Sequence, residues 1–342
     1  MKRFFRLKLV LTLAALVMMA AAVAIPLSGS LSRSHAASAT QDTAQSTSGG
    51  AAVSKIISPQ AAAATRAYWT PARMQSARPA DELLAHAKFT QPPAQRGPSG
   101  VGTPALPTGR YATKIPHSSY STFPYSTVGK VFFTDPQTGT NFVCSGAAVN
   151  STNLSVVDTA GHCVVNGGSG NDWYTNWVFC PQYFKGSSPY GCWVARQLWS
   201  FTDWSNSGSF EDDFGDAVVS PNSYGNIVNV VGGTGWAYGQ STSKSFTSFG
   251  YPAASPFNGN LMYKCGSTKP STVAGYDDGT VIAIACNMTG GSSGGPWLTS
   301  FNRAFGYVNG HNDFKYTNDP NHMYSPYYDS DWYIVFNAAQ TS

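Results

Sequence analysis

Residues 291–296 read Gly291-Ser292-Ser293-Gly294-Gly295-Pro296, a G-x-S-G-G-P pattern. Small residues on both sides of Ser293 let a tight loop present its Oγ to solvent. They also let successive N–H groups turn toward one point, which is what an oxyanion hole needs. Taken alone, the hexapeptide is equally a Gly/Ser surface turn. A second stretch upstream weighs against that. Thr159-Ala160-Gly161-His162-Cys163 follows an apolar run, so His162 falls where a strand ends and is set apart from an ordinary structural histidine.

The two motifs, His before Ser, resemble the trypsin or chymotrypsin superfamily, whose triad order is His, Asp, Ser. The resemblance covers the chain from about Ser126 to the C-terminus. It is closest to the secreted bacterial members, a group that includes the glutamyl endopeptidases. It implies an all-β fold of two six-stranded antiparallel barrels with a C-terminal helix. It also implies His162 as general base, Ser293 as nucleophile, the N–H groups of Gly291 and Ser293 as oxyanion hole, and a Cys144–Cys163 bridge pinning the base-bearing loop. No metal or cofactor is required.

The triad acid must lie between the two motifs. Glu211-Asp212-Asp213-Phe214-Gly215-Asp216-Ala217-Val218-Val219 is the acidic cluster followed by a strand. Bacterial relatives commonly read Asp, an aromatic or aliphatic residue, then Gly or Ala, which matches Asp213-Phe214-Gly215. Asp216 is the rival, because it directly precedes Ala217-Val218-Val219. Ser292 stands where trypsin-like zymogens carry the Asp that receives a freed N-terminus. Any latency must therefore come from the leader. For the S1 pocket the resemblance places Asn287 six residues before the nucleophile, with Met288, Val308, Asn309 and Gly310 as further linings. A neutral P1 residue, apolar or aromatic, is expected. Asp277 and Asp278 would restore a negative charge if their loop reached the pocket, and an inward His311 would favour an acidic P1.

Composition divides the 342 residues before any motif is considered. The N-terminal third is rich in Ala, Ser, Thr, Pro and Gln, whereas all six cysteines come later. Net charge is +4 with 11% charged residues, and Lys2, Arg3, Arg6 and Lys8 supply much of the excess base, so no nucleic-acid surface is implied. Met1 to Lys8 forms a basic n-region, Leu9 to Ile25 an apolar run, and Ala37-Ser38-Ala39 a cleavage site, with Ala24 a second. Residues 1–39 are thus a signal peptide and the product is secreted. An uncleaved membrane anchor is the alternative.

Export favours disulfides over a thiolate catalyst or zinc site. Nearest neighbours would pair Cys144 with Cys163, Cys180 with Cys192 and Cys265 with Cys286, although six cysteines allow about fifteen connectivities. Residues 40–121 read as a low-complexity prosegment or linker without the apolar density for a core, with one potential helix from Met74 to Ala87.

From residue 122 short β-branched and aromatic runs are broken by Gly, Asn, Ser and Pro. Strands are expected at Val128–Thr134, Phe142–Val149, Leu154–Thr159, Trp177–Phe179, Ala217–Val219, Val228–Val231, Val281–Ala285 and Phe305–Val308, and a helix at Ser330–Ala339. The implied activity is a serine endopeptidase acting on protein or peptide substrates as a monomer, with no stable membrane association once the signal is cut. A catalytically inactive binding domain and a serine esterase are the competing classes. An α/β-hydrolase esterase would need G-x-S-x-G, a His after the Ser and many helices. His311 and His322 do lie downstream, but the helical segments are missing.

Overall fold

The structure is a computed structural model that describes residues 49–84, 112–242, 244–266, 271–276, 279–302, 304–317 and 319–342. The expected signal peptide, Asp277 and Asp278 lie outside the described residues.

The leader contributes β1 (Ala52–Ile56), α1 (Pro59–Tyr68), α2 (Pro71–Ser76) and β2 (Arg78–Pro79). Each helix starts with proline behind a hydroxyl cap: Ser58 Oγ accepts from Ala61 N–H, and Thr70 Oγ1 from Arg73 N–H. The helix expected from Met74 onward ends at Ser76, and Arg78–Pro79 is extended. Proline disfavours the α-region for the residue before it and lacks an N–H to continue the ladder. The leader also packs, contrary to its low apolar density. It does so mainly through strand pairing and two aromatic anchors. β1 runs antiparallel to Gln197–Phe201, β2 runs parallel to Phe142–Val143, Trp69 Nε1 donates to the Asn176 carbonyl, and Tyr68 OH donates to Asn141 Oδ1.

After β3 (Thr113–Lys114) come β4 (Val128–Thr134), β5 (Asn141–Val149), β6 (Val156–Ala160), β7 (Thr175–Pro181), β8 (Trp193–Phe201), α3 (Thr202–Ser207) and β9 (Phe214–Val219). The order β4-β5-β6-β9-β8-β7 returns to β4, every pair antiparallel, so six strands close into a barrel. Closure removes free edges, and β4 is buried along its whole length, Lys130 and Thr134 included.

The second lobe contains α4 (Ile227–Val231), β10 (Gly235–Trp236), β11 (Phe246–Gly250), β12 (Tyr263–Gly266), β13 (Ser271–Tyr276), β14 (Gly279–Ala285), β15 (Pro296–Thr299), β16 (Tyr307–His311), β17 (His322–Pro326) and α5 (Ser330–Thr341). Its strands form two sheets, β10-β16-β15-β11-β12-β3 and β13-β14-β17. The second closed barrel is therefore not seen among the described residues. The Cys265–Cys286 bridge ties β12 to the end of β14 across the division between the sheets. Cys144–Cys163 and Cys180–Cys192 are the other two bridges.

Two local expectations differ from the structure. Val228–Val231 is helical: Ile227 and Val231, four residues apart, are the buried pair of α4, and Gly232 at φ +80° ends it. A run this short has no periodicity to separate strand from helix. The strand expected at Phe305 begins at Tyr307, with Phe305 exposed. The C-terminal helix is present as α5, capped by Asp329 accepting from Asp331 N–H. It buries Trp332, Val335, Phe336 and Ala339, the stripe a surface helix needs. Among the described residues no helix is long and apolar enough to cross a membrane.

Candidate active site

β6 ends at Ala160 and passes into a 3-10 turn, Gly161–Cys163, that carries His162. The Cys144–Cys163 bridge and a bond from Trp177 Nε1 to the Cys163 carbonyl (2.9 Å) fix this turn. Asp213 lies between the turn Phe210–Asp212 and β9, and its carbonyl accepts from Gly161 N–H at 2.9 Å. Its carboxylate then grips the histidine twice: Oδ1 accepts from His162 N–H and Oδ2 from Nδ1–H, each at 2.6 Å. Gly161 permits the approach, since a Cβ there would lie 2.6 Å from Asp213 Oδ1 and 2.7 Å from Trp204.

Asp216 is placed elsewhere. It pairs across the ladder with Asp158 of β6, and both of its oxygens are buried without a hydrogen-bond partner. Asp158 accepts from Tyr328 OH and Trp332 Nε1. Burial pushes Asp158 up to about 7, and burial followed by repulsion from Asp158 holds Asp216 well above the usual carboxylate range. Asp216 is thus half of a buried acid pair, not a partner of His162.

Ser293 comes from the second lobe. Gly294 makes the turn behind it at φ +76°, where a Cβ would fall 2.0 Å from Thr159 Oγ1 and 2.5 Å from the Ser145 carbonyl. No other residue fits. The barrel holds the loop through Ser145, whose N–H donates to the Ser293 carbonyl (2.7 Å) and whose Oγ donates to the Gly291 carbonyl (2.9 Å). From the other side Gly294 N–H donates to the Asn312 carbonyl at 2.7 Å.

Two functional groups were not found in the sequence. Asp313 bridges the two halves: its Oδ1 is 3.4 Å from His162 Nδ1, and its carbonyl is 3.4 Å from Ser293 Oγ. Asp81, in the leader's turn Ala80–Glu82, accepts from Ser293 Oγ at 2.8 Å and from Gly291 N–H at 3.3 Å through one oxygen, Oδ1. The Ser293 hydroxyl is thereby committed to Asp81, and His162 Nε2 is buried with no hydrogen-bond partner. No motif announces either acid.

The electrostatics follow from burial. Desolvation disfavours the imidazolium of His162, but the Asp213 carboxylate, helped by Asp313, outweighs it and pushes His162 up to about 10. Desolvation likewise opposes ionisation of Asp213, and His162 overcomes it to hold Asp213 below the usual range. Asp313 is raised well above that range by burial and by repulsion from Asp213.

Of the residues expected to line S1, Asn287 meets the 40–121 segment, and the other four have partners within the lobe. Met288 is buried in the lobe's core with Trp297, and Val308 is buried opposite Leu298. Asn309 donates to the Ala237 carbonyl, Asn287 accepts from Ala112 N–H, and Gly310 lies against Ser325, where a Cβ would approach Oγ to 2.9 Å. His311 does not turn inward to the nucleophile: its Nδ1 bonds Tyr328 OH, and burial pushes it down to about 3. The chain that meets the Ser293 loop is instead Asn312 and Asp313, because β16 runs on to His311 first.

His162, Asp213 and Asp313 are also a possible metal donor set, their ligand atoms within 4.8 Å of one another. They do not fit a cation. Nδ1 and Oδ2 are 2.6 Å apart, closer than two ligands each about 2.0–2.1 Å from a tetrahedral ion can be. The other cluster of this kind among the described residues uses Cys144 and Cys163, which are joined in a disulfide.

A closed antiparallel barrel carrying a histidine–carboxylate pair, faced by a Gly-Ser-Gly loop from a second lobe, defines the chymotrypsin type of protease. Known proteins agree with it. No family model matches the chain. The protease Anisep of Arthrobacter nicotinovorans is 38% identical, with a TM-score of 0.59 over 64% of this chain and 96% of that one. A thermostable serine protease from an extremophilic microorganism is 37% identical, with a TM-score of 0.59 over 66% of this chain and 100% of its own. A Glu endopeptidase, 18% identical with a TM-score of 0.53 over 68% of this chain and 97% of its own, shares the fold. An extracellular metalloprotease of Bacillus subtilis (strain 168) is 28% identical over a 202-residue alignment that covers 52% of this chain. The chain spans 60% of the length of that curated relative. It belongs to the trypsin-like serine protease superfamily.

Proposed function

We propose that the chain is a secreted serine endopeptidase, made as a precursor, that cuts peptide bonds through Ser293, His162 and Asp213. The observation that supports it best is the double grip of Asp213 on His162 at 2.6 Å. Nδ1–H is donated to Asp213, and Nε2, once the imidazolium that Asp213 stabilises has lost its proton there, is the nitrogen that accepts from Ser293. Once Asp81 is withdrawn, the Ser293 hydroxyl is free to turn to Nε2. The proton passes to His162 as Oγ attacks the substrate carbonyl carbon. Asp213 stabilises the imidazolium, and the N–H groups of Gly291 and Ser293 bind the oxyanion. His162 then protonates the leaving amine, and water, activated by the same nitrogen, releases the acyl group.

Asn287 offers no charge to select Arg or Lys, and a neutral P1 residue remains the expectation. An inactive binding domain and a serine esterase are the alternatives, and no observation favours either. The test is fluorophosphonate labelling of the processed protein with site mapping by mass spectrometry, followed by matched peptide and ester panels and a chelator. Labelling at Ser293 with peptide turnover that survives chelation supports the proposal. Absence of labelling, or turnover of esters alone, overturns it.

A further inference from the structure

We infer that leader residues 52–84 form a built-in inhibitor of this site, a partner that the cleft recognises through one carboxylate, that of Asp81, seated in the oxyanion hole. The inference rests on Ser293 being the nucleophile and adds how that nucleophile is kept silent. Asp81 Oδ1 takes hydrogen bonds from Ser293 Oγ and from Gly291 N–H, the hydroxyl that would attack and an amide that would hold the developing charge. Charge-assisted bonds of this kind are stronger than those between neutral groups. They cost the triad its Ser–His link, as the solitary His162 Nε2 records.

The fit is close. A Cβ on Gly290 would lie 3.0 Å from Pro79 Cβ and 3.1 Å from Asp81 Cγ, so the leader rests directly on the nucleophile loop. Ala80 is fully buried, Pro79 and Arg78 pair with β5, and Arg78 and Glu82 form an ion pair across the turn. On the far side of the cleft the Lys315 ammonium, held by the Cys286 and Pro320 carbonyls, attracts Asp81.

Cleavage of the inhibitor is disfavoured chemically. The group on the hole is a side-chain carboxylate, not a peptide carbonyl, and attack by Ser293 would have to expel oxide from a carbon with no amine to release. The arrangement is that of a bound product acid. The remaining anchors lie far from the cut: β1 on β8, Trp69 on Asn176, and Tyr68 on Asn141. A break anywhere in residues 85–111 therefore leaves the inhibitor held without a covalent link. Severing the leader and activating the enzyme become separate events.

The experiment labels the purified full chain with a fluorophosphonate over time and reads label on the uncut band, comparing wild type with Asp81→Ala and Asp81→Asn. Loss of a charge-assisted pair predicts labelling faster by about 10- to 100-fold in both variants. Tyr68→Ala, which loosens a distant anchor, predicts a smaller acceleration. The wild-type chain, nicked in residues 85–111 but with 52–84 still co-purifying, should label as slowly as the uncut chain. If the Asp81 variants label no faster than wild type while the processed enzyme labels readily, the inhibitor role is refuted and the Ser293 assignment stands. If nothing labels in any form, it is the serine-peptidase reading that fails.

Discussion

Replacing Asp213 by Asn separates the two candidate triad acids, because the structure asks of Asp213 something an amide cannot do. Its two oxygens accept from two donors on the same residue, His162 N–H and Nδ1–H, at 2.6 Å each. Asparagine has one acceptor oxygen. If that oxygen stays on the backbone N–H, the NH₂ faces Nδ1 and forces the proton to Nε2, where it blocks acceptance from Ser293. If the amide flips, the NH₂ meets a backbone N–H at contact distance and the turn must shift. Either outcome removes the base, and a fall in kcat of about 10⁴ is expected, the cost of a wrong tautomer in a triad. Asp216→Asn touches only the buried pair with Asp158, and its kcat should stay within about tenfold of wild type. The assay is kcat and kcat/KM of the processed enzyme on a peptide substrate, with circular dichroism to establish folding. A folded Asp216→Asn that is inactive beside a functional Asp213→Asn would refute the assignment.

Three other outcomes follow from the same contacts. Ser293→Ala should lose about 10⁵ to 10⁶ in kcat. Ser292→Ala, which gives up only a bond from its Oγ to the Thr289 carbonyl (2.8 Å), should lose less than about tenfold, measured on the same substrate. Asp158 and Asp216 are raised in the folded state, so their contribution to stability is complete below the unfolded carboxylate value and declines as pH rises above it, through about 7 for Asp158. Thermal melts of Asp216→Asn should therefore gain on wild type between pH 5 and 8, and a gain that shrinks with rising pH would contradict this. Reduction of the three disulfides, which close separations of 19, 12 and 21 residues, removes about 3 kcal/mol each in the chain-entropy model. A sharp drop in melting temperature under reductant is the expected readout.

The barrel was legible because its strands advertise themselves. β4 matched its sequence boundaries residue for residue, and β5 and β6 differed by only a residue or two, since runs such as Val128–Thr134 are buried on both faces. His162 and Ser293 were legible because the glycines beside them have no substitute: at Gly161 and Gly294 any side chain collides with the site itself. What failed was register over distance. The resemblance puts Val308 to Gly310 in the cleft, yet β16 runs on to His311 and the chain reaches Ser293 only at Asn312 and Asp313. Counting residues along a strand carries no information about where the strand stops.

Asp81 was illegible for a different reason. Its segment has neither the apolar density nor the periodicity of an element that folds alone, and it acquires structure from the edges it meets, β8 for β1 and β5 for β2. A sequence pattern records what a segment buries by itself, not what a neighbouring sheet will lend it. The same dependence ties the site together. Ser145 stands in the barrel, but its N–H and Oγ hold the second lobe's nucleophile loop, while its own Oγ accepts from Tyr251 N–H at 2.9 Å. The loop that presents Ser293 is thus shaped by the barrel that also carries His162. The leader crosses that same seam at Asp81, the point where one short segment engages Ser293 Oγ and leaves His162 Nε2 without a partner.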